Sequence, residues 1–157
     1  MPAMTRPMTY QTLVDEALQQ VPEVFPCELM EALEAGERPL LLDVREPDEF
    51  RALHIPGSLH VPRGVLEPAA EEGYEETEPE LVAARDRVVI LICRSGRRSA
   101  LAGVNLQRMG FARVRSLKLG LKGWNADGGP LQDHEDRPLD DDEAEARLDA
   151  GAEGGAR

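Results

Sequence analysis

Two short apolar runs without alternation constrain the fold of this chain more than any other feature. They read PLLLDV at residues 39–44 and VVILI at residues 88–92. A strand that is covered on one face alternates apolar and polar residues, whereas a strand of a parallel sheet is buried on both faces and is continuously apolar. Such strands need helices above and below them, so the two runs predict a parallel sheet between helical layers.

The segments around these runs have the spacing of amphipathic helices. Helical periodicity is present in TYQTLVDEALQQV, in CELMEALEAG and in SALAGVNLQRMG. Two further short strands are expected at SLHV and ARVRSL, and Trp124 is expected to pack under a last short helix. Strands that alternate with helices in this way indicate an α/β fold. The length of 157 residues fits a single domain.

The acidity of the chain is confined to two segments. Its formal net charge is -12, but residues 71–80 hold six acids and no base, and residues 133–157 hold ten acids and three arginines. We expect the first to be a solvated loop and the second a disordered tail, because neither offers much to bury. The remainder is close to neutral and has no basic stripe, so nucleic acid is not expected as a partner.

Membrane and metal partners are also not expected. No apolar run approaches the ~20 residues of a membrane-spanning helix, and the N-terminus has no apolar signal core, which predicts a cytoplasmic protein. The three histidines have unrelated spacings, so no metal site is predicted. Cys27 and Cys93 are too few for a disulfide framework. Cys27 lies near a helix start, and we expect it to be a structural thiol and not one that forms a disulfide with Cys93.

The segment CRSGRRS at residues 93–99 is the candidate active site. It leaves the carboxyl end of a predicted parallel strand and enters a helix, which is where α/β folds place their ligands. Loop amides and the helix N-terminus stabilise negative charge there, so Cys93 is the candidate nucleophile. The alternative is a buried cysteine that acts only as a small hydrophobe. The candidate substrate-binding residues are Arg94, Ser95, Gly96, Arg97, Arg98 and Ser99, with Arg97 and Arg98 the expected side-chain contacts for an anion.

Asp43 and Arg45 stand just past the first apolar run, near the expected position of this loop. They are candidate supporting residues. Their charges could orient the loop, or they could cap a helix and brace the fold. We favour the bracing role.

Four blocks in fixed order resemble a single rhodanese domain, from about residue 20 to residue 132. They read LLLDVREPDEF, HIPGSLHVP, VVILICRSGRRSA and GWNADGGPL. The resemblance implies an α/β three-layer sandwich with a mostly parallel central sheet of about five strands. We therefore place a helical extension at residues 1–20, the rhodanese-like domain at 21–132 and the tail at 133–157. The extension is expected to pack back on the domain or, alternatively, to dock a partner.

The resemblance also implies a reaction. Cys93 matches the cysteine that takes a sulfane sulfur from a small anionic donor such as thiosulfate, holds it as a persulfide and passes it to a thiol or a sulfur-carrier protein. No cofactor or metal is implied. A relay between protein donors and acceptors, and a non-catalytic binding module, remain as alternatives. Related phosphatases separate cysteine and arginine by five residues, whereas four separate Cys93 from Arg98 and Ser99 takes the place of the phosphatase arginine.

Overall fold

A five-stranded parallel sheet forms the centre of the molecule. A computed structural model describes residues 6–155 of the chain, and the side chains of residues 6–150. The strands are β1 (Glu23–Val24), β2 (Leu40–Asp43), β3 (Leu59–His60), β4 (Val89–Ile92) and β5 (Val114–Leu117), in the order β1-β5-β4-β2-β3. Every neighbouring pair is parallel. The predicted α/β sandwich is confirmed, and the sheet is parallel throughout.

Helices cover both faces of the sheet. They are α1 (Tyr10–Gln20), α2 (Pro26–Glu34), α3 (Pro47–Ala52), α4 (Leu66–Ala69), α5 (Pro79–Val82), α6 (Arg97–Arg108), α7 (Gly120–Ala126) and α8 (Asp141–Gly155), with a 3-10 turn at Arg63–Val65. One buried cluster lies between the sheet and α4, α5 and α6, and a second lies between the sheet and α2, α7 and α8. Among the described residues, no helix is long and apolar enough to cross a membrane.

The N-terminal helix α1 forms an additional layer outside α6. Thr9 caps α1, since its side-chain oxygen accepts the backbone N–H of Thr12 at 3.0 Å. Val14 and Ala17 are buried against Ala100 of α6. The helix of the extension therefore lies against the domain, while residues 1–5 lie outside the described part of the chain.

The expectation of a disordered tail is wrong for the part of residues 133–157 that the structure describes. Helix α8 buries Ala144 and Leu148 in the same cluster as Trp124. Ahead of it, the Asp133 carboxylate accepts backbone N–H groups of Glu135 and Arg137 and closes a turn. Ala144 and Leu148 are one turn apart on one helix face, so this face buries apolar side chains although the segment is otherwise acidic.

Candidate active site

Cys93 lies directly after β4, at the start of the loop that enters α6. Its Sγ accepts the backbone N–H of Gly96 at 3.1 Å and lies 3.3 Å from the hydroxyl oxygen of Ser99. The Ser99 hydroxyl is in turn 2.7 Å from that of Ser116, on β5. Cys93 is 1% exposed and both serines are fully buried. The sulfur therefore has polar partners in a dry environment, at the positive end of a twelve-residue helix.

The shape of the loop depends on two glycines. Gly96 is the N-cap of α6 with φ +91°, and a Cβ there would come within 3.2 Å of the Leu119 backbone nitrogen. Gly120 has φ +57°, and a Cβ there would lie 2.5 Å from the Cys93 carbonyl oxygen. Side chains at either position would push the Cys93 loop away from the end of β5. The first amides of α7 also hold the loop, because Leu121 N–H donates to the Cys93 carbonyl at 2.9 Å.

The three arginines of the loop point to partners on three different elements. Arg94 donates through Nε to the Leu148 carbonyl of α8 at 3.0 Å. Arg97 is exposed, with its guanidinium 5.7 Å from the centre of the Tyr10 ring of α1. Ser95 is exposed at the tip of the loop. Both elements that flank the central domain, α1 and α8, thus contact the Cys93 loop.

Arg98 forms a two-pronged ion pair with Glu49 of α3. Its two terminal nitrogens lie 2.7 and 2.8 Å from the carboxylate oxygens. Burial alone would raise the pKa of Glu49, but hydrogen bonds from Arg98 and from the Glu46 backbone outweigh it, so the pKa lies below its ordinary value. The hydrogen bond to Glu49 raises the pKa of Arg98. Arg98 is therefore a cation near Cys93 that is held in place by Glu49. Both of its terminal nitrogens already donate to the Glu49 carboxylate.

Asp43 and Arg45 form a buried ion pair at the carboxyl end of β2. Arg45 Nε and a terminal nitrogen donate to the Asp43 carboxylate at 2.9 and 2.8 Å, and both side chains are excluded from solvent. The remaining guanidinium donors reach the carbonyls of Glu49 and Leu53 at 3.2 and 2.6 Å. The pair holds α3 in place, and α3 carries the partner of Arg98.

Two residues of the site were not predicted from the sequence. Ser116 is a buried polar residue in β5, and Glu49 lies in α3, four positions after Arg45. A polar residue at a core position of a strand was the available signal for Ser116. Nothing in the sequence indicates that Glu49 faces Arg98, because that contact depends on how α3 packs beside α6.

The remaining candidates lie elsewhere in the fold. Cys27 is exposed on the first turn of α2. Phe50 stacks between the rings of His54 and His60, at centroid distances of 4.0 and 4.4 Å. Within the described residues, no group of three or more histidine, cysteine or acidic side chains is arranged to hold a metal ion.

The chain that carries this Cys93 loop matches a known protein family. The family model of the rhodanese-like domain matches residues 26–127. The chain belongs to the rhodanese-like family. The match begins at α2 and ends just after α7. Helices α1 and α8, which both contact the Cys93 loop, lie outside the matched rhodanese-like region.

Several curated relatives of this rhodanese-like chain are named for sulfur transfer. A sulfurtransferase of Allochromatium vinosum is 32% identical over 111 residues, which are 71% of this chain and 94% of that protein. YrkF of Bacillus subtilis, provisionally named a sulfur carrier, is 32% identical over 109 residues, which are 69% of this chain. The chain spans 54% of the length of YrkF and 31% of an adenylyltransferase/sulfurtransferase of Mycobacterium tuberculosis that it also matches.

Solved structures share the rhodanese-like fold. The human single-domain sulfurtransferase TSTD1 has a TM-score of 0.60 and 26% identity, and the alignment covers 69% of this chain and 99% of that one. A protein of unknown function from Rhodopseudomonas palustris, described as a candidate tyrosine phosphatase, has a TM-score of 0.73 and 28% identity, with 84% and 99% covered. The two neighbours carry different suggested chemistries, so the choice between them depends on the Cys93 loop.

Proposed function

We propose that this protein is a sulfurtransferase that carries a sulfane sulfur as a persulfide on Cys93. The observation that carries the proposal is the polar environment of the Cys93 sulfur, which accepts the Gly96 N–H and faces the Ser99 hydroxyl at the N-terminus of α6. Hydrogen-bond donors and a helix dipole stabilise a thiolate, which is the attacking group when the persulfide forms and the leaving group when the sulfur is passed on.

In the first half-reaction the Cys93 thiolate attacks the outer sulfur of an anionic donor such as thiosulfate. A sulfur–sulfur bond forms to Cys93, the bond between the two donor sulfurs breaks, and sulfite leaves with the bonding electron pair. The new outer sulfur stands about 2 Å farther out than Sγ. The transferable atom therefore lies beyond the buried Sγ, in a loop whose exposed residues are Ser95 and Arg97.

In the second half-reaction an acceptor thiolate attacks that outer sulfur. The acceptor leaves as its own persulfide, and the electron pair of the broken bond returns to Cys93 as thiolate. Donor and acceptor never need to be bound together, so the kinetics are expected to be ping-pong. The protein groups that act in this scheme are the Cys93 thiolate and the Gly96 N–H and Ser99 hydroxyl that contact its sulfur.

Intact mass after incubation with thiosulfate tests the proposal. Because Cys27 is an exposed second thiol, the comparison is made in the Cys27→Ser background, with and without Cys93→Ser. We expect a gain of one sulfur atom that requires Cys93 and disappears when cyanide or a small thiol is added. A folded Cys27→Ser protein that stays at its original mass, or gains sulfur without Cys93, would contradict the proposal.

A protein acceptor is favoured over a small thiol by the surface around the loop. Apolar side chains stand exposed at the same edge of the sheet: Phe25 after β1, Leu119 after β5, and Tyr10 beside Arg97. Aromatic residues mixed with arginine are typical of protein interfaces. Arg94 and Arg98 already contact α8 and Glu49, which leaves Arg97 as the exposed cation of the loop.

Transfer from the persulfide form distinguishes these two acceptors. Tyr10→Ala is expected to leave the rate with a small thiol unchanged and to slow transfer to a cysteine-bearing acceptor protein, measured by the mass of each product. Equal rates for the wild type and the variant with the protein acceptor would favour the small-molecule reaction. Failure of Cys93 to form a persulfide at all would instead favour a binding module.

The alternative chemistry is phosphate ester hydrolysis. The position where related phosphatases have an arginine is Ser99, which is fully buried and hydrogen bonded to Ser116. A serine there supplies no cation to clamp a phosphate dianion. We therefore expect hydrolysis of an aryl phosphate to be far slower than cleavage of thiosulfate, and the reverse order would overturn the assignment.

A further inference from the structure

A cleft lies at the edge of the sheet opposite Cys93. Val88 and Arg113, which line it, directly precede β4 and β5, whereas Cys93 directly follows β4. The four residues of β4 place these two edges about 13 Å apart. The cleft has a volume of about 550 Å³, which lies within the range of roughly 300–1,000 Å³ that small-molecule sites occupy.

The floor of this cleft is apolar. Leu29 of α2 and Ile90 of β4 are buried, with 1% and 2% of their surface exposed. Val24, Ala32 and Val88 line the cleft and are partly exposed. The lining comes from the sheet and from the helix that packs on it, so the floor is held by the core of the domain. An apolar ring or short chain would be desolvated there.

Four arginines stand at the rim of this floor: Arg38, Arg87, Arg113 and Arg115. Two of them are held by backbone carbonyls. Arg38 donates to the carbonyl of Glu37 at 2.9 Å, and Arg87 donates to that of Arg38 at 2.9 Å. These contacts fix the two cations without neutralising their charge.

Arg113 and Arg115 are exposed, and their side chains have no hydrogen-bond partner among residues 6–150. Within the same residues, none of the four guanidinium groups has a carboxylate oxygen within ion-pair distance. The chain has 30 acidic residues against 18 basic ones, and two acids, Glu37 and Asp86, also line the cleft. The cleft therefore has more arginines than acids along its lining, whereas the chain as a whole has more acids than bases.

We propose that this cleft binds an amphipathic anion, a small molecule with an apolar ring or chain and one terminal acidic group. The apolar body would lie on Leu29, Val88 and Ile90, and the acidic group would lie between Arg113 and Arg115. A guanidinium group carries its N–H donors in a planar fork. Two of them can donate to two oxygens of one carboxylate, sulfonate or phosphate group. The site is separate from the Cys93 loop, so it stands independently of the proposed sulfur transfer.

Titration of the isotopically labelled protein with anilinonaphthalene sulfonate, followed by amide NMR, tests the site. Phenylnaphthylamine provides the same apolar body without the acid, and inorganic sulfate provides the acid without the body. The test variant is Arg113→Gln with Arg115→Gln. The matched control is Arg51→Gln with Arg108→Gln, which removes two exposed arginines from helices outside the cleft.

We expect saturable shifts at the amides that line the cleft, weaker binding of phenylnaphthylamine and of sulfate, and about tenfold weaker binding of the sulfonate to the test variant only. Thermal melting must show that both double variants remain folded, since a loosened core binds this dye by itself. Equal affinity for the dye with and without its sulfonate would overturn the proposal. So would shifts confined to other surfaces, or full affinity in the folded test variant.

Discussion

At the scale of single residues, the hydroxyl of Ser99 is the group whose removal tests the Cys93 site most directly. It lies 3.3 Å from the sulfur and 2.7 Å from the Ser116 hydroxyl. A hydrogen bond to a charged group contributes about 1.5–3 kcal/mol. We therefore expect Ser99→Ala to slow persulfide formation from thiosulfate by about tenfold or more, measured by rapid quench and intact mass.

The matched control for this prediction is Ser116→Ala. It also breaks the buried serine pair and leaves one hydroxyl short of a partner, so both variants should lose about 1–3 kcal/mol of unfolding free energy. Only Ser99→Ala removes the group beside the sulfur. If the two variants slow persulfide formation equally, the role of Ser99 is to hold the fold and not to assist the thiolate.

The buried pair of Asp43 and Arg45 gives a second prediction at this scale. Asp43→Asn keeps the shape of the side chain but leaves the Arg45 charge uncompensated in a site that solvent does not reach. We expect a loss of about 3–5 kcal/mol, measured by urea unfolding. Glu143→Gln, which breaks an exposed ion pair with Arg137, should cost less than about 1 kcal/mol. Similar costs for the two variants would contradict a bracing role for the buried pair.

At the scale of elements, the contact between α3 and α6 depends on pH through Glu49. Its pKa in the folded protein lies below the ordinary value of 4.5, so its contribution to stability is present above that value and is lost as pH falls through the folded pKa. We expect Glu49→Gln to cost of the order of 1 kcal/mol near neutral pH. The difference from the wild type should begin to shrink as pH falls below 4.5 and should close once pH lies below the folded pKa of Glu49.

Urea unfolding at several pH values measures this difference. Glu75→Gln, an exposed acid of the loop at residues 71–80, removes the same charge without a partner arginine. Its effect on unfolding should be smaller than that of Glu49→Gln near neutral pH, because no ion pair is lost. A Glu49→Gln difference that stayed constant as pH falls well below 4.5 would mean that the lowered pKa of Glu49 does not couple to folding.

Helix α8 gives the other prediction at this scale, because the sequence indicated disorder where the structure has a packed helix. Leu148→Ala empties a site that is 3% exposed in the cluster around Trp124. We expect a loss of about 2–4 kcal/mol in urea unfolding. Leu13→Ala, on the exposed side of α1, should cost less than about 0.5 kcal/mol. If residues 133–157 were disordered, Leu148→Ala would lower the free energy of unfolding no more than Leu13→Ala does.

The continuous apolar runs predicted β2 and β4, and the position of Cys93 after β4 followed from them. β1 was not foreseen, because its two residues between Pro22 and Pro26 form no pattern. The partners of Arg94 and Arg98 were not foreseen either. They come from α8 and α3, and their contacts arise only when helices distant in sequence pack together.

At the scale of the whole molecule, the packing predicts a cooperative unit larger than the family domain. The family match covers residues 26–127, yet α1 is buried against α6 and α8 against the cluster that contains Trp124. Elements that share a core should unfold together. Trp124 is the only tryptophan, so its fluorescence reports one face of the sheet, while far-UV ellipticity reports all helices. The two urea transitions of the wild type should coincide.

Val14→Ala extends this prediction to the far side of the sheet. Val14 is 2% exposed between α1 and α6, in a cluster that does not include Trp124. If α1 belongs to the cooperative unit, the loss of this packing lowers the Trp124 midpoint by the same amount as the ellipticity midpoint. Leu13→Ala, the exposed neighbour, should move neither. An unchanged Trp124 midpoint in Val14→Ala, with early loss of ellipticity, would show that α1 unfolds by itself and that the cooperative core ends near the family boundary.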